Sequence, residues 1–131
     1  MKKLLSVLLV MCLCCGMLAG CGKKGKPDEV SQEVYDLGVR TCNELEDYVD
    51  GKMSQETCYY RLVTPAEEAA EIDQKNEEEL GDKYSWEERQ EDKDILENII
   101  DACDAVESAN EGETYEAEDI LKELKEQLNL E

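Results

Sequence analysis

The 131-residue chain has no histidine and no phenylalanine, one tryptophan and two prolines. Without histidine there can be no His-based triad, no zinc-protease ligand set and no histidine proton relay. The chain also has no G-x-S-x-G, no S-x-x-K and no glycine-rich phosphate loop. Basic residues are scarce, with 14 Lys and Arg against 34 Asp and Glu. That balance removes the positive surface nucleic acid requires, so nucleic acid is not an expected partner. No stretch alternates apolar and polar residues for long enough to argue for a strand, and there is no internal repeat.

What is present begins at the N-terminus. Lys2 and Lys3 precede an almost unbroken apolar run from Leu4 to Leu18, the pattern of a secretory signal. The run is shorter than the roughly 18–20 residues that span a bilayer as a helix. It closes on Leu18-Ala19-Gly20-Cys21: an aliphatic residue, two small ones and a cysteine. This quartet, in register after the apolar run, resembles the lipobox of bacterial lipoproteins. The resemblance implies cleavage between Gly20 and Cys21 and a diacylglyceryl thioether on the Cys21 sulfur, with palmitate-type acyl chains. It also implies a home on the extracytoplasmic face of the cell membrane. Two or more chains, at about 0.8 kcal/mol per buried CH₂, hold a protein there stably. The resemblance covers the signal and Cys21 and does not extend further. Three parts follow: a signal over 1–20, a lipidated cysteine with a basic tether over 21–30, and an acidic helical domain over 31–131.

Removing the first 20 residues leaves 111, enough for one small domain and a tether. Two lysines leave with them and no acid does, so 12 basic residues remain against 34 acidic, a net charge of −22. That favours solubility, and a basic peptide or protein becomes a candidate partner. Lys23, Lys24 and Lys26 follow Cys21 directly. Near an anionic leaflet each adds about 1 kcal/mol of attraction, while in solution they simply keep a linker hydrated. Beyond Pro27, 9 basic residues face all 34 acids, so that part is repelled by the same leaflet.

The seven cysteines divide by position. Cys12, Cys14 and Cys15 belong to the apolar run, and Cys21 takes the lipid. Cys42, Cys58 and Cys103 remain, in a compartment that permits disulfides. Three thiols make at most one internal bridge. Cys42–Cys58 is the candidate pair, since the two flank a predicted helical hairpin. The competing role is that of small hydrophobes on apolar helix faces.

The mature chain reads as all-α: a small antiparallel bundle of three to five helices. Val30, Val34, Leu37, Thr41, Leu45 and Tyr48 recur every three or four residues over Ser31–Asp50, and Gly51 follows as a C-terminal cap. Ser54 can cap a second helix, with Cys58, Tyr59 and Leu62 inward. Thr64-Pro65-Ala66-Glu67 looks like a fresh capping box, so this segment is two helices or one kinked at Pro65. Ser85-Trp86-Glu87-Glu88 is another capping box, with an apolar face over Ile95, Leu96, Ile99, Ala102, Cys103 and Val106. Thr114 caps a last helix with Ala117, Ile120, Leu121, Leu124 and Leu128 inward.

Between Asp73 and Asp94 the apolar face lapses. Ten acids and four basic residues surround Leu80, Tyr84 and Trp86. Such a hairpin cannot be buried along its length and should project, with Gly81-Asp82-Lys83 at its turn. Leu80, Tyr84 and Trp86 are either a candidate partner contact or a staple on the turn.

No cofactor or metal is expected. The positions where an EF-hand needs oxygen ligands hold Glu46, Tyr48 and Asp50 before Gly51, and Glu107, Ala109 and Glu111 before Gly112. Glu77-Glu78-Glu79 suits only weak, nonspecific cation binding. Carboxylate pairs such as Glu67/Glu71 and Glu87/Glu91 lie on solvated faces, without the contrast of wet and dry that acid–base chemistry needs. Three functional classes remain, in order. The first is a non-enzymatic, membrane-tethered binding or structural module. The second is an immunity-type or sequestering lipoprotein that captures cationic peptides. The third is a carboxylate-based cell-wall enzyme.

Overall fold

Four stretches of apolar residues at helical spacing give four helices. In the computed structural model, which describes residues 25–81 and 89–130, these are α1 (Gln32–Val49), α2 (Gln55–Leu80), α3 (Gln90–Ser108) and α4 (Tyr115–Gln127). No strand occurs among the described residues.

α1 follows the sequence pattern closely. Val34, Leu37, Thr41, Cys42, Leu45 and Tyr48 are buried, and the helix gives way to Gly51 at φ +76, a left-handed turn suited to glycine. Gly38 was not part of the expected face. A Cβ there would come within 2.7 Å of Leu128 Cδ1, so its absence lets the chain's C-terminal segment lie close against α1.

α2 resolves the choice at Pro65 in favour of one continuous helix. Ser54 Oγ accepts from the Thr57 N–H at 3.2 Å and starts it. Thr64 lies within the helix, so the second capping box is not used. Proline in a helix interior costs about 3 kcal/mol. Here Pro65 is buried on the same face as Cys58, Leu62 and Ala69. Burial of one large aliphatic side chain returns about 1.5–3 kcal/mol, so this stripe offsets the lost bond.

α3 begins at Gln90, and the Ser85–Glu88 box lies outside the described residues. Its expected face from Ile95 to Val106 is buried. Thr114 stands at the N-cap of α4, but its hydroxyl donates to Glu118 Oε1 at 2.7 Å and caps no backbone N–H.

Cross-helix contacts fix the topology. Arg40 Nη1 meets Glu68 Oε2 at 3.2 Å, and Arg61 Nη1 meets Glu44 Oε2 at 3.5 Å, so α1 and α2 are antiparallel. Gln55 Nε2 donates to the Val106 and Ala109 carbonyls, each at 2.8 Å, while Arg89 Nη1 donates to Asn76 Oδ1 at 3.3 Å; α2 and α3 are antiparallel too. Asn98 Nδ2 donates to Gln127 Oε1 at 3.0 Å, placing the start of α3 by the end of α4. The bundle is up-down-up-down, with α2 and α4 out of contact on the long diagonal. Leu45, Leu62, Ile95, Leu96, Ile99, Leu124 and Leu128 fill its centre, all essentially without exposure.

The bundle has a base, where α1 starts and α2 ends, and a far end, formed by the turns after α1 and α3. α2 is the long member: its 26 residues rise about 39 Å, against about 27 Å for the 18 of α1. The excess is at the base. Beyond Ile72, Gln74, Lys75 and Glu77–Glu79 are exposed, and Asn76 alone is buried.

Candidate functional site

The base carries the segment that leads back to Cys21. Gly20 and Cys21 themselves lie outside the described residues. The inner end of the expected tether is fixed to the bundle. Val30 is 2% exposed, and its N–H donates to the Pro27 carbonyl at 3.1 Å. Lys26 Nζ donates to the Val30 carbonyl at 2.6 Å and to that of Pro27 at 3.3 Å. The Ser31 N–H then donates to Asp92 Oδ1 at 2.8 Å. This carboxylate, 1% exposed, answers one of the unpaired N–H groups that open α1 and sits at the positive end of its dipole.

Two buried polar residues therefore organise the base, and both break an apolar pattern in the sequence. Asp92 ties α3 to the start of α1. Asn76, 4% exposed, accepts from Arg89, while its Nδ2 has no partner. Of the three candidate contact residues, Leu80 is half-buried at the end of α2, and Tyr84 and Trp86 lie outside the described residues. The acidic overhang and the segment leading to Cys21 thus leave the bundle at one end.

Cys42, Cys58 and Cys103 are buried free thiols. The Cys42–Cys58 bridge is not formed, because the two face different neighbours. The Cys58 thiol points at the Glu44 carbonyl, Sγ to O 3.8 Å. Cys42 lies in the field of Lys125 and Glu46, on the α4 side of α1. Burial pushes both thiols up to about 12. Cys103 is raised by burial first and by the carboxylates of Asp104, Glu107 and Glu67 after it. Burial of this kind disfavours the thiolate, the form of cysteine that acts as nucleophile or metal ligand. Among the described residues no group of three or more Cys, Asp or Glu is arranged to hold a metal ion.

Grooves run between neighbouring helices, among them one between α2 and α3 lined by Gln55, Glu56, Tyr59, Val106 and Glu107. The α1–α2 groove is lined by Glu33, Asp36, Arg40, Glu68 and Glu71 over Leu37 and Ile72. The Arg40–Glu68 pair crosses it, and Arg61–Glu44 crosses the same interface nearer the far end. Between α1 and α4, Lys125 pairs with Glu46.

The α3–α4 groove differs. Two adjoining cavities, of 240 and 370 Å³, share Ala105, Ser108 and Glu116 and make one acidic channel. Asp101, Asp104, Glu113, Glu116 and Asp119 edge it, and among the described residues no lysine or arginine lines it. Ala105, Ala117 and Ile120 contribute apolar surface to its lining. Tyr115 stands at the far end, 60% exposed. At the other end Asn98 and Gln127 join the two helices. Asn110 Nδ2 donates to Glu113 Oε2 at 3.0 Å, a neutral partner for one of the five carboxylates.

The sequence showed every one of these acids but not their gathering. Helical spacing puts 101, 104 and 108 on one flank of α3, and 116, 119 and 120 on one flank of α4. That these flanks face each other follows only from the packing. No described helix is long and apolar enough to cross a membrane. No protein-family model matches the chain, and neither curated proteins nor solved structures show a significant similarity to it.

Proposed function

We propose that this chain is a lipid-anchored protein of the extracytoplasmic membrane face, and that its helical body serves as a non-enzymatic binding or structural module with an acidic surface. The observation that carries this is the Leu18-Ala19-Gly20-Cys21 quartet, in register with the apolar run that starts after Lys2 and Lys3. The fold is consistent with such an attachment. Residues 25–30 reach the base of the bundle and are tied there by Lys26, Val30 and Asp92. A pull on the lipid would thus be taken up by the start of α1 and α3 together. The binding role rests on open acidic grooves, and burial disfavours the reactive thiolate form of Cys42 and Cys58.

Capture of cationic peptides is the second reading. The absence of lysine and arginine among the described residues lining the α3–α4 groove favours it.

Metabolic labelling with an alkynyl palmitate tests the anchor. Label should appear on the wild-type protein and vanish in Cys21→Ser, which should also leave the membrane fraction. An unlabelled wild-type protein, or equal labelling of the variant, overturns it.

A further inference from the structure

We propose that the α3–α4 groove docks a basic segment of a partner protein, with lysine or arginine side chains held between the carboxylates of α3 and those of α4 and the chain passing Tyr115. This deepens the binding-module reading and rests on it.

The groove is distinguished by how many carboxylates it gathers without a lysine or arginine among the described residues of its lining: Asp101, Asp104, Glu113, Glu116 and Asp119, where the α2–α3 groove has only Glu56 and Glu107. The α1–α2 interface, also acidic, is crossed by Arg40–Glu68 and Arg61–Glu44. The α1–α4 interface has Lys125–Glu46. The α3–α4 groove has carboxylates on both edges, Asp101 and Asp104 facing Glu116 and Asp119, with no base between them. Like charges held across a groove repel, and they repel more strongly beside the low-dielectric wall of a packed bundle. The last turn of α3 contains no basic residue, and its negative dipole end is offset by the positive end of α4, which starts at Tyr115 in the same groove, so the attraction comes from the carboxylates. A cation entering from outside meets several carboxylates, of which Glu113 alone is seen to hold an internal partner, the Asn110 amide.

Shape agrees with charge. The stretch from Asp101 to Ala109 rises about 12 Å, room for about four residues of extended chain. Alternate residues of an extended segment point the same way, so two basic side chains two apart can enter together. Ala105 and Ala117 leave space for their methylene stems, which bury while the charged heads stay wet. Tyr115 is one of only two large apolar side chains strongly exposed among the described residues. Its ring offers a cation a π face. The groove opens at the end of the bundle away from residues 25–30, where an anchored protein meets its surroundings.

The test uses the full chain in mild detergent and a fluorescein-labelled peptide of alternating arginine and alanine. Binding is read by anisotropy at 0.15 M salt. The double variant Asp104→Asn/Glu116→Gln should weaken binding about tenfold, and Tyr115→Ser about threefold. Glu78→Gln/Glu79→Gln removes the same charge from the α2 overhang and should change binding by less than about twofold. Equal weakening by both doubles shows attraction to diffuse charge and overturns the proposal. So does a failure of the wild-type protein to bind. Circular dichroism melts of each variant confirm folding. Cys21→Ser should bind the peptide as wild type does, so failure of the anchor and failure of the groove give different results.

Discussion

The α1–α2 groove and the α3–α4 groove run over one core and treat charge in opposite ways. In the first, each flank contributes acid, and Arg40 and Arg61 reach across to meet Glu68 and Glu44. In the second, Asp101, Asp104, Glu116 and Asp119 face one another with no base between. With 14 bases for 34 acids over the whole sequence, neutralising every interface is impossible. Arg40, Arg61 and Lys125 pair across the interfaces that α1 makes with α2 and α4. The lesson is that net charge says little about where a surface is receptive, whereas the location of unbridged charge says more.

The two grooves stand on one packed core, and the largest effects come from breaking it. Leu62 lies beneath the α1–α2 side and Leu124 beneath the α4 side, with 1% and 0% exposure. Leu62→Ala and Leu124→Ala should each lose about 2–5 kcal/mol in urea unfolding. A loss confined to one of them would mean that the grooves differ in packing as well as in charge.

Alkaline pH should weaken both sides together. Cys42 belongs to the α4 side of α1, and Cys58 to α2 against α1. Burial raises both from 9.0 to about 12. A thiol is neutral when protonated, so the folded state prefers the protonated form. The unfolded chain begins to release these protons near pH 9 while the folded chain holds them. The stability they contribute is complete below pH 9 and is lost as pH climbs from 9 to 12. Tyr48, raised mainly by burial, and Tyr59, raised mainly by the Glu107 carboxylate, act in the same direction above their ordinary value of 10. The urea midpoint should fall through this window, and Cys42→Ala should flatten the fall. A flat midpoint from pH 9 to 12 would show that the thiols are not desolvated.

Much of the bundle was legible in the sequence, because helical periodicity reports directly on burial. The apolar stripes of α1, α3 and α4 identified their buried residues, and Gly51 marked the turn after α1. Pro65 was ambiguous because local capping chemistry and the wider apolar stripe point different ways; the stripe wins by burying Leu62, Pro65 and Ala69 together. Asn76 and Asp92 occupy inward positions and looked like the end of a face. They are buried because each finds a partner on another segment, Arg89 and the Ser31 N–H, which no local pattern reveals. The Cys42–Cys58 pairing was drawn from closeness in sequence to a turn, whereas side-chain direction decides it. The α3–α4 groove is a product of two helices, and neither helix alone shows it.

The smallest effects separate the grooves most cleanly. Glu68→Gln removes a partner from Arg40 and should lower the melting temperature slightly, by about 0.2–1 kcal/mol of stability at low salt. Glu116→Gln removes a carboxylate that faces others and should raise it by a similar amount. Both shifts should shrink in 1 M salt, where screening acts within about 3 Å. Melting the two variants beside the wild type at 0.01 M salt is the deciding measurement. Shifts of opposite sign are expected; shifts of the same sign would show that the α3–α4 carboxylates are no less compensated than those beside Arg40.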